Sequence, residues 1–307
     1  MKIVINGFGR IGRVILRQIL TDPVHADIEV VALNDIASPE TCSYLFKYDS
    51  VFGPLPGGAA LKDTALHAGG RVIPLLTGAK IADLPLDGVD LLLDCTGALR
   101  SRADAEAALD AGAKAVLISG PSDIADMTLV LGANEHEIGA ARIISNASCT
   151  TNAVAPLLRE LDERFGLIQG HMTTVHCYTG SQPMVDAPRG PDLARNRAGA
   201  VSMDQTSTTE DKLVVRVLTH LDVRVVVRLT APPPDINDAL QAVARDNAVI
   251  GCVEDPCVSV DLRARPESLV IAPRESLVSG DHGRIFGGYD NEWGFSNRMA
   301  DTAVAMG

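Results

Sequence analysis

Basic and aromatic residues are scarce in this chain of 307 residues. Lys and Arg number 27 against 39 Asp and Glu, which gives a formal net charge of −12, and aromatic residues make up only 4% of the sequence. Nucleic acids are bound mainly through contacts between their phosphates and Lys or Arg side chains, so this composition disfavours a nucleic-acid partner. Because the overall charge is negative, an anionic small molecule could bind only where a local cluster of arginines offsets the negative electrostatic field.

Long apolar runs and paired cysteines are also missing. No apolar run approaches the roughly 20 residues that a membrane span needs, and the N-terminal residues do not resemble a signal peptide. The cysteines include no CxxC pair and show no His/Cys spacing typical of zinc. They are Cys42, Cys95, Cys149, Cys177, Cys252 and Cys257. We therefore expect a cytoplasmic protein with free thiols, no metal site and no membrane contact.

Residues 1–148 alternate between short apolar segments and segments with a helical period. The sequence predicts strands at 2–6, 28–33, 91–94, 115–118 and 128–131, and helices at 10–20 and 102–111. This alternation is typical of α/β proteins with a doubly wound parallel sheet of Rossmann type. The chain is long enough for two domains, and we predict that residues 1–148 form the first.

The pattern changes after residue 148. The sequence predicts helices at 150–165 and 235–246, β-rich segments at 172–177 and 223–229, and a long ordered loop at 180–199. This order favours an α+β catalytic domain, residues 149–288, built on a mostly antiparallel sheet. Residues 289–307 include a predicted helix at 297–305, which we expect to return to the first domain.

A glycine-rich fingerprint, Gly-Phe-Gly-Arg-Ile-Gly at residues 7–12, follows the first predicted strand and opens the first predicted helix. In this context the backbone can approach a pyrophosphate at the N-terminus of the helix. The candidate cofactor-binding residues of the fingerprint are Gly7, Gly9, Arg10, Ile11 and Gly12.

Asp35 ends the second predicted strand, about 20 residues after the fingerprint. A carboxylate at this place can bind the ribose hydroxyls of a dinucleotide. It would also repel a 2′-phosphate, so the sequence favours NAD over NADP. The alternative interpretation of Asp35 is a solvated residue at the end of a strand.

Cys149 precedes a predicted helix and lies in a polar run, Ser-Asn-Ala-Ser-Cys-Thr-Thr-Asn at residues 145–152. A helix N-terminus stabilises a thiolate, and a nearby His can pair with it and later act as a general base. His176 is the candidate partner. A buried Cys and a core His are the structural alternative, but the polar residues around Cys149 would make a poor core and a good oxyanion environment.

These motifs resemble those of the glyceraldehyde-3-phosphate dehydrogenase family. The matching stretches are residues 6–13, 145–152, 174–176, 206–208 and 289–294, so the resemblance spans nearly the whole chain. It implies that Cys149 attacks an aldehyde, that His176 takes the hydroxyl proton as hydride passes to NAD, and that inorganic phosphate releases an acyl phosphate. The implied substrate is a sugar-phosphate aldehyde, with glyceraldehyde 3-phosphate expected first.

The resemblance also implies roles for further residues. Asp35 would bind the adenosine ribose, Ser119 would lie near the cofactor, and Asn291 would hold the nicotinamide carboxamide. The residues implied for the substrate phosphate or the attacking phosphate are Ser148, Thr150, Thr179, Arg195, Thr208 and Arg216. The loop 178–200 would pack against a neighbouring subunit and border its NAD site, which implies a homotetramer.

The chain departs from the family pattern in its phosphate region. Thr208 is followed by Thr-Glu-Asp at 209–211, where the family usually has small residues. These carboxylates would oppose phosphate binding, unless they begin a helix and face solvent. A segment before the family's substrate-phosphate arginine is shortened here, so Arg216 is its best match, and Arg224 and Arg228 fit less well.

Three functions are therefore compatible with the sequence. The first is a phosphorylating dehydrogenase of a sugar phosphate. The second has the same chemistry with another aldehyde, such as erythrose 4-phosphate or an unphosphorylated one, or with a non-phosphate nucleophile, and the altered phosphate region keeps it open. The third is a non-catalytic NAD-binding paralogue, against which the intact Cys149, His176 and Asn291 argue.

Overall fold

The computed structural model describes residues 1–204, 214, 217–218, 228–229 and 235–307. Within them, residues 1–148 contain one large sheet with the strand order β3-β4-β5-β2-β1-β6-β7-β9-β8. From β5 to β8 in that order every pairing is parallel, which confirms the predicted doubly wound sheet. The strands are β1 Lys2–Asn6, β2 Glu29–Asp35, β3 Ala59–Lys62, β4 Ala65–Ala68, β5 Arg71–Thr77, β6 Leu91–Asp94, β7 Ala115–Ile118, β8 Met127–Thr128 and β9 Ile143–Ser145.

The central strand β1 is buried on both faces of the sheet. Ile3 and Ile5 contribute to the core beside helix α1, Arg10–Thr21, whereas Val4 contributes to the core beside helix α3, Arg102–Asp110. A strand covered on both sides needs an uninterrupted apolar run. This explains why β1 and β6 were recognisable in the sequence.

The outer strands β3, β4 and β5 form an antiparallel meander that the sequence did not predict. Asp63 and Thr64 join β3 to β4 with φ angles of 47° and 62°. Two residues with positive φ are typical of a type I′ hairpin turn, for which Asn-Gly is the usual signal. Helix α2, Pro39–Lys47, packs beside β3.

The second half begins with helix α4, Cys149–Phe165. An antiparallel sheet follows with the order β10-β11-β15-β14, and a small mixed sheet has the order β12-β13-β16. Helix α5, Ile236–Asp246, packs beside β12. The strands are β10 Leu167–Gln169, β11 Arg228–Leu229, β12 Ile250–Cys252, β13 Leu269–Ile271, β14 Leu277–Ser279, β15 His282–Arg284 and β16 Gly287–Gly288.

The C-terminal helix α6, Trp293–Met306, packs against α1. Phe295 and Met299 belong to the same core as Ile15, and the side-chain amide of Gln18 donates to the carbonyl oxygen of Trp293 at 2.9 Å. The hydroxyl of Thr302 donates to the Asn146 side chain, three residues before Cys149. The last helix therefore contacts both the first helix and the loop that precedes Cys149. None of the helices in the described ranges combines the length and apolar character that crossing a bilayer requires.

Two predicted strands differ in the structure. The strand expected at 128–131 ends at Thr128, because the Asn134 side chain accepts from the backbone N–H of Val130 and donates to the carbonyl oxygen of Thr128. Residues 172–177 form no strand and lie largely exposed, and their side-chain contacts run from Thr174 to Tyr289 and from Cys177 to Asn291. Of the predicted strand 223–229, residues 223–227 lie outside the described residues.

Candidate active site

Of the three glycines in the turn after β1, only Gly9 has open space where a ligand could approach. A Cβ on Gly7, whose φ is +94°, would lie 2.6 Å from the backbone of Cys95, and a Cβ on Gly12 would overlap the carbonyl oxygen of Gly7. Gly9 has open space around a Cβ, and it begins α1 without a side-chain cap. Uncapped N–H groups facing an open surface fit the pyrophosphate of a dinucleotide.

Asp35 lies beside this turn. One carboxylate oxygen accepts from the N–H of Phe8 at 2.6 Å, and the other accepts from the N–H of Ala37 at 2.8 Å. The carboxylate thus braces the turn, and each oxygen keeps a second lone pair for a ribose hydroxyl.

The side chain of Arg10 is engaged in ion pairs within the protein. Its guanidinium pairs with Asp49, at 2.5 Å, and with Glu292. Arg10 therefore joins the glycine turn to the segment before α6, and only its backbone N–H is suited to the pyrophosphate. Ile11 is partly buried against the main core.

Ser119 and Asn291 lie at ends of elements. Ser119 follows β7, and its N–H donates to the carbonyl oxygen of Asp94. Asn291 lies between β16 and α6, and its side-chain oxygen accepts from the thiol of Cys177 at 3.4 Å. No role was predicted for Cys177, which follows His176 in the chain.

Cys149 is the first residue of α4, immediately after β9 and a tight loop. Ala147 adopts φ +56°, and the hydroxyl of Ser148 accepts from the N–H of Thr151 to cap the helix. The side-chain amide of Asn152 donates to the carbonyl oxygens of Asn146 and Ser148. This bracing fixes the thiol at the positive end of the helix dipole, where a thiolate is stabilised.

His176 lies opposite the thiol. Its Nε2 is 3.6 Å from Sγ of Cys149, and its Nδ1–H donates to the carbonyl oxygen of Cys177 at 2.7 Å. The hydrogen bond to Cys149 is the main cause that raises the pKa of His176 to about 11, with Cys177 next. The raised pKa favours the imidazolium form of His176, which a thiolate–imidazolium pair requires.

Tyr289 is a functional candidate that the sequence did not single out. Its hydroxyl lies 2.7 Å from Oγ1 of Thr150 and 3.4 Å from Oγ1 of Thr174, and its ring meets the ring of His176 edge-on. Only its place in the 289–294 motif hinted at a role, because Thr150 and Tyr289 are 139 residues apart.

The described ones among the predicted phosphate residues lie on two separate segments, the start of α4 and the long loop. Ser148 and Thr150 lie at the N-terminus of α4, with their hydroxyls bonded to Thr151 and Tyr289. Thr179 bonds to Ser181, and Arg195 lies in the short helical turn Ala194–Asn196, both on exposed parts of the long loop. Two of the predicted residues, Thr208 and Arg216, and the carboxylates at 210 and 211 lie outside the described residues.

Two family models match the chain. The model described as "Glyceraldehyde 3-phosphate dehydrogenase, NAD binding domain" matches residues 1–102, and the one described as "Glyceraldehyde 3-phosphate dehydrogenase, C-terminal domain" matches residues 148–230.

Proteins named glyceraldehyde-3-phosphate dehydrogenase are similar over the full length. The chain is 41% identical to that of Xanthobacter flavus and 41% identical to that of Cereibacter sphaeroides. It is 39% identical to that of Zymomonas mobilis. Each comparison covers 100% of this chain and 98% of the relative. The comparison with Xanthobacter flavus spans 332 positions, so 25 of them have no counterpart among the 307 residues here, which agrees with a shortened chain.

Proposed function

The chain belongs to the glyceraldehyde-3-phosphate dehydrogenase family, and on that premise we propose that it oxidises glyceraldehyde 3-phosphate with NAD and inorganic phosphate. The observation that carries the proposal is the contact of 3.6 Å between Sγ of Cys149 and Nε2 of His176 at the start of α4. A thiolate in this setting is a nucleophile for an aldehyde carbon.

The pair explains how one imidazole can serve two steps. Cys149 attacks the aldehyde and forms a thiohemiacetal, whose oxygen the His176 imidazolium can protonate. Because the charge on Cys149 is then consumed, the main cause of the raised His176 pKa is removed. Having given up its proton, the ring is a neutral imidazole, able to take the hydroxyl proton back as the thioester forms.

The glycine turn and Asp35 would hold the cofactor. Bound NAD supplies the acceptor for the hydride that leaves the thiohemiacetal carbon. The N–H groups at the start of α1 would bind the pyrophosphate, Asp35 the ribose, and Asn291 the nicotinamide carboxamide. Inorganic phosphate then attacks the thioester, and the Cys149 thiolate leaves with formation of an acyl phosphate.

The activity assay that tests this proposal follows NADH formation with three aldehydes, each with and without phosphate: glyceraldehyde 3-phosphate, erythrose 4-phosphate and glyceraldehyde. We expect the highest kcat/KM with glyceraldehyde 3-phosphate, a strict need for phosphate, and no turnover by Cys149→Ser with NAD binding retained. Equal rates with unphosphorylated glyceraldehyde, or turnover without phosphate, would contradict the proposal.

The shortened segment before Arg216 gives the second candidate, an enzyme for an unphosphorylated aldehyde, its specific support. Arg216→Ala separates the two candidates. As an anchor for the substrate phosphate, Arg216 should matter for phosphorylated aldehydes, and its loss should raise their KM far more than that of glyceraldehyde. An equal effect on both would favour the second candidate.

We also propose a homotetramer in the cytoplasm. Large apolar side chains are exposed along the long loop and just beyond it. They are Met184, Val185, Leu193, Val201 and Met203. Exposed apolar side chains in such number along one loop favour burial against another subunit.

A further inference from the structure

The residues that bear the thiol and the imidazole come from very different surroundings. Cys149 begins a braced helix, whereas His176 lies in the stretch 170–178, which has neither helix nor strand and is mostly exposed. A separation of 3.6 Å between the two groups therefore needs a third element that holds the stretch against the helix. Tyr289 lies where such an element is needed.

The hydroxyl of Tyr289 contacts a neighbour of each partner. It is 2.7 Å from the hydroxyl of Thr150, the residue after Cys149, and 3.4 Å from the hydroxyl of Thr174, two residues before His176. Its ring centroid is 6.1 Å from that of His176, with the rings inclined at 65°. One side chain thus touches the helix, the stretch and the imidazole itself.

The backbone that carries Tyr289 is well fixed. The preceding residues form β16, which pairs antiparallel with β13. The following residue, Asp290, accepts from the N–H groups of Glu292 and Trp293 at the start of α6. The tyrosine therefore projects from a rigid frame, as a positioning group must.

We propose that Tyr289 is a positioning residue, which holds His176 beside Cys149 by linking Thr150 and Thr174 through its hydroxyl. The effect of Tyr289 on turnover rests on the proposed function. The placement of His176 beside Cys149 is present in the protein without substrate. Tyr289 touches neither substrate nor cofactor in this role and acts through His176.

The hydroxyl is protonated when it performs this role. Burial is the main cause that raises the pKa of Tyr289, and the neighbouring charge of Cys149 adds to it. Among the described residues, the titratable groups that face His176 are Cys149 from α4, Cys177 from its own stretch and Tyr289 itself. A pH profile of the pair therefore reports on these groups.

Tyr289→Phe is the variant that tests the proposal, because it removes the hydroxyl and keeps the ring. We expect kcat to fall by about 3- to 10-fold, the effect of one lost hydrogen bond, with the KM for NAD unchanged. We also expect the pH midpoint for alkylation of Cys149 by iodoacetamide to move upward, because a displaced imidazolium stabilises the thiolate less. Tyr44→Phe, at an exposed position on α2, is the matched control and should change neither quantity.

A double variant decides whether Tyr289 acts through His176. If it does, adding Tyr289→Phe to His176→Asn should cause no further loss of kcat and no further shift of the alkylation midpoint. Additive losses, or a wild-type alkylation profile in Tyr289→Phe, would overturn the inference. The alkylation measurement needs no aldehyde. If the wild-type protein formed no NADH, the proposed function would be refuted, and the alkylation profiles would still test the positioning role of Tyr289.

Discussion

At the scale of single residues, burial separates Cys149 from three of the other thiols, Cys42, Cys95 and Cys252. Burial is the main cause that raises the pKa of Cys42 to about 11 and that of Cys95 to about 12, so both stay protonated near neutral pH. Burial also raises the pKa of Cys252. Cys149 instead lies at a helix N-terminus beside an imidazolium, and we therefore expect it to be the thiol that electrophiles modify first.

The first prediction concerns the ion pair. His176→Asn should lower kcat by roughly 10²–10⁴-fold, the range for a lost general base. It should also move the alkylation profile of Cys149 to higher pH, because the cation that stabilises the thiolate is gone. The measurement is the iodoacetamide rate against pH, with the modified peptide identified by mass spectrometry.

His171→Asn is the control for this variant, since His171 is exposed and precedes His176 in the same stretch. It should behave as the wild type. An alkylation profile of His176→Asn that overlays the wild-type profile would refute the ion pair, and first labelling at Cys177 would refute the assignment of the nucleophile.

The local sequence identifies two residues of the site and leaves two others without a signal. Cys149 and His176 were predictable because their neighbours along the chain are unusual for a core. Tyr289 and Cys177 were not given roles, because their significance lies in contacts with Thr150 and Asn291, each more than 100 residues away.

At the scale of elements, the turn between β1 and α1 offers a matched pair of substitutions. Gly9→Ala adds a Cβ in open space and should change the free energy of unfolding by less than about 0.5 kcal/mol. It should nevertheless weaken NAD at least tenfold, because the added methyl group keeps the pyrophosphate from the N–H groups of α1.

Gly12→Ala should show the opposite balance. Its Cβ would meet the carbonyl oxygen of Gly7, so the backbone of the turn must shift. We expect a loss of about 2 kcal/mol or more in unfolding free energy, measured by urea denaturation. If Gly9→Ala bound NAD normally in a titration, the pyrophosphate would not lie on this turn.

Asp35, at the end of β2, should set the choice of cofactor. Asp35→Asn removes the charge and keeps one acceptor oxygen, and it should lower kcat/KM for NAD by about tenfold while improving NADP relative to NAD. The ratio of kcat/KM values for the two cofactors is the quantity to measure. An equal loss for both would mean that Asp35 acts by bracing Phe8 and Ala37 alone.

Helices and strands were predictable where the local sequence alone determines the structure, through an apolar run or a helix cap. Strands β1, β6 and β7 are nearly continuous apolar runs, and α3 has its cap Ser101 and a helical period. The strand expected at 128–131 is shorter because the side chain of Asn134, six residues beyond Thr128, takes over its backbone hydrogen bonds. For residues 172–177, β propensity alone indicated a strand, and propensity does not fix a partner.

At the scale of the whole molecule, the exposed apolar side chains of the long loop lead us to expect that subunits associate through this loop. Leu193 is 82% exposed, and fully burying a leucine is worth about 1.5–3 kcal/mol. In a symmetric oligomer one substitution acts in every subunit. If the protein is the proposed tetramer, Leu193→Glu should convert it into smaller species, observed by sedimentation equilibrium. If the loop also borders the neighbouring cofactor site as proposed, the same variant should bind NAD more weakly.

Val24→Glu provides the control, because Val24 is 78% exposed on the short helical turn Pro23–His25, outside the loop. Both Val24→Glu and Leu193→Glu add one negative charge to a protein whose formal net charge is −12. The electrostatic repulsion between subunits therefore rises by a similar amount in the two variants. We expect Val24→Glu to stay tetrameric. Dissociation of both variants would point to charge rather than to a loop interface, and a monomeric wild type would refute the tetramer outright.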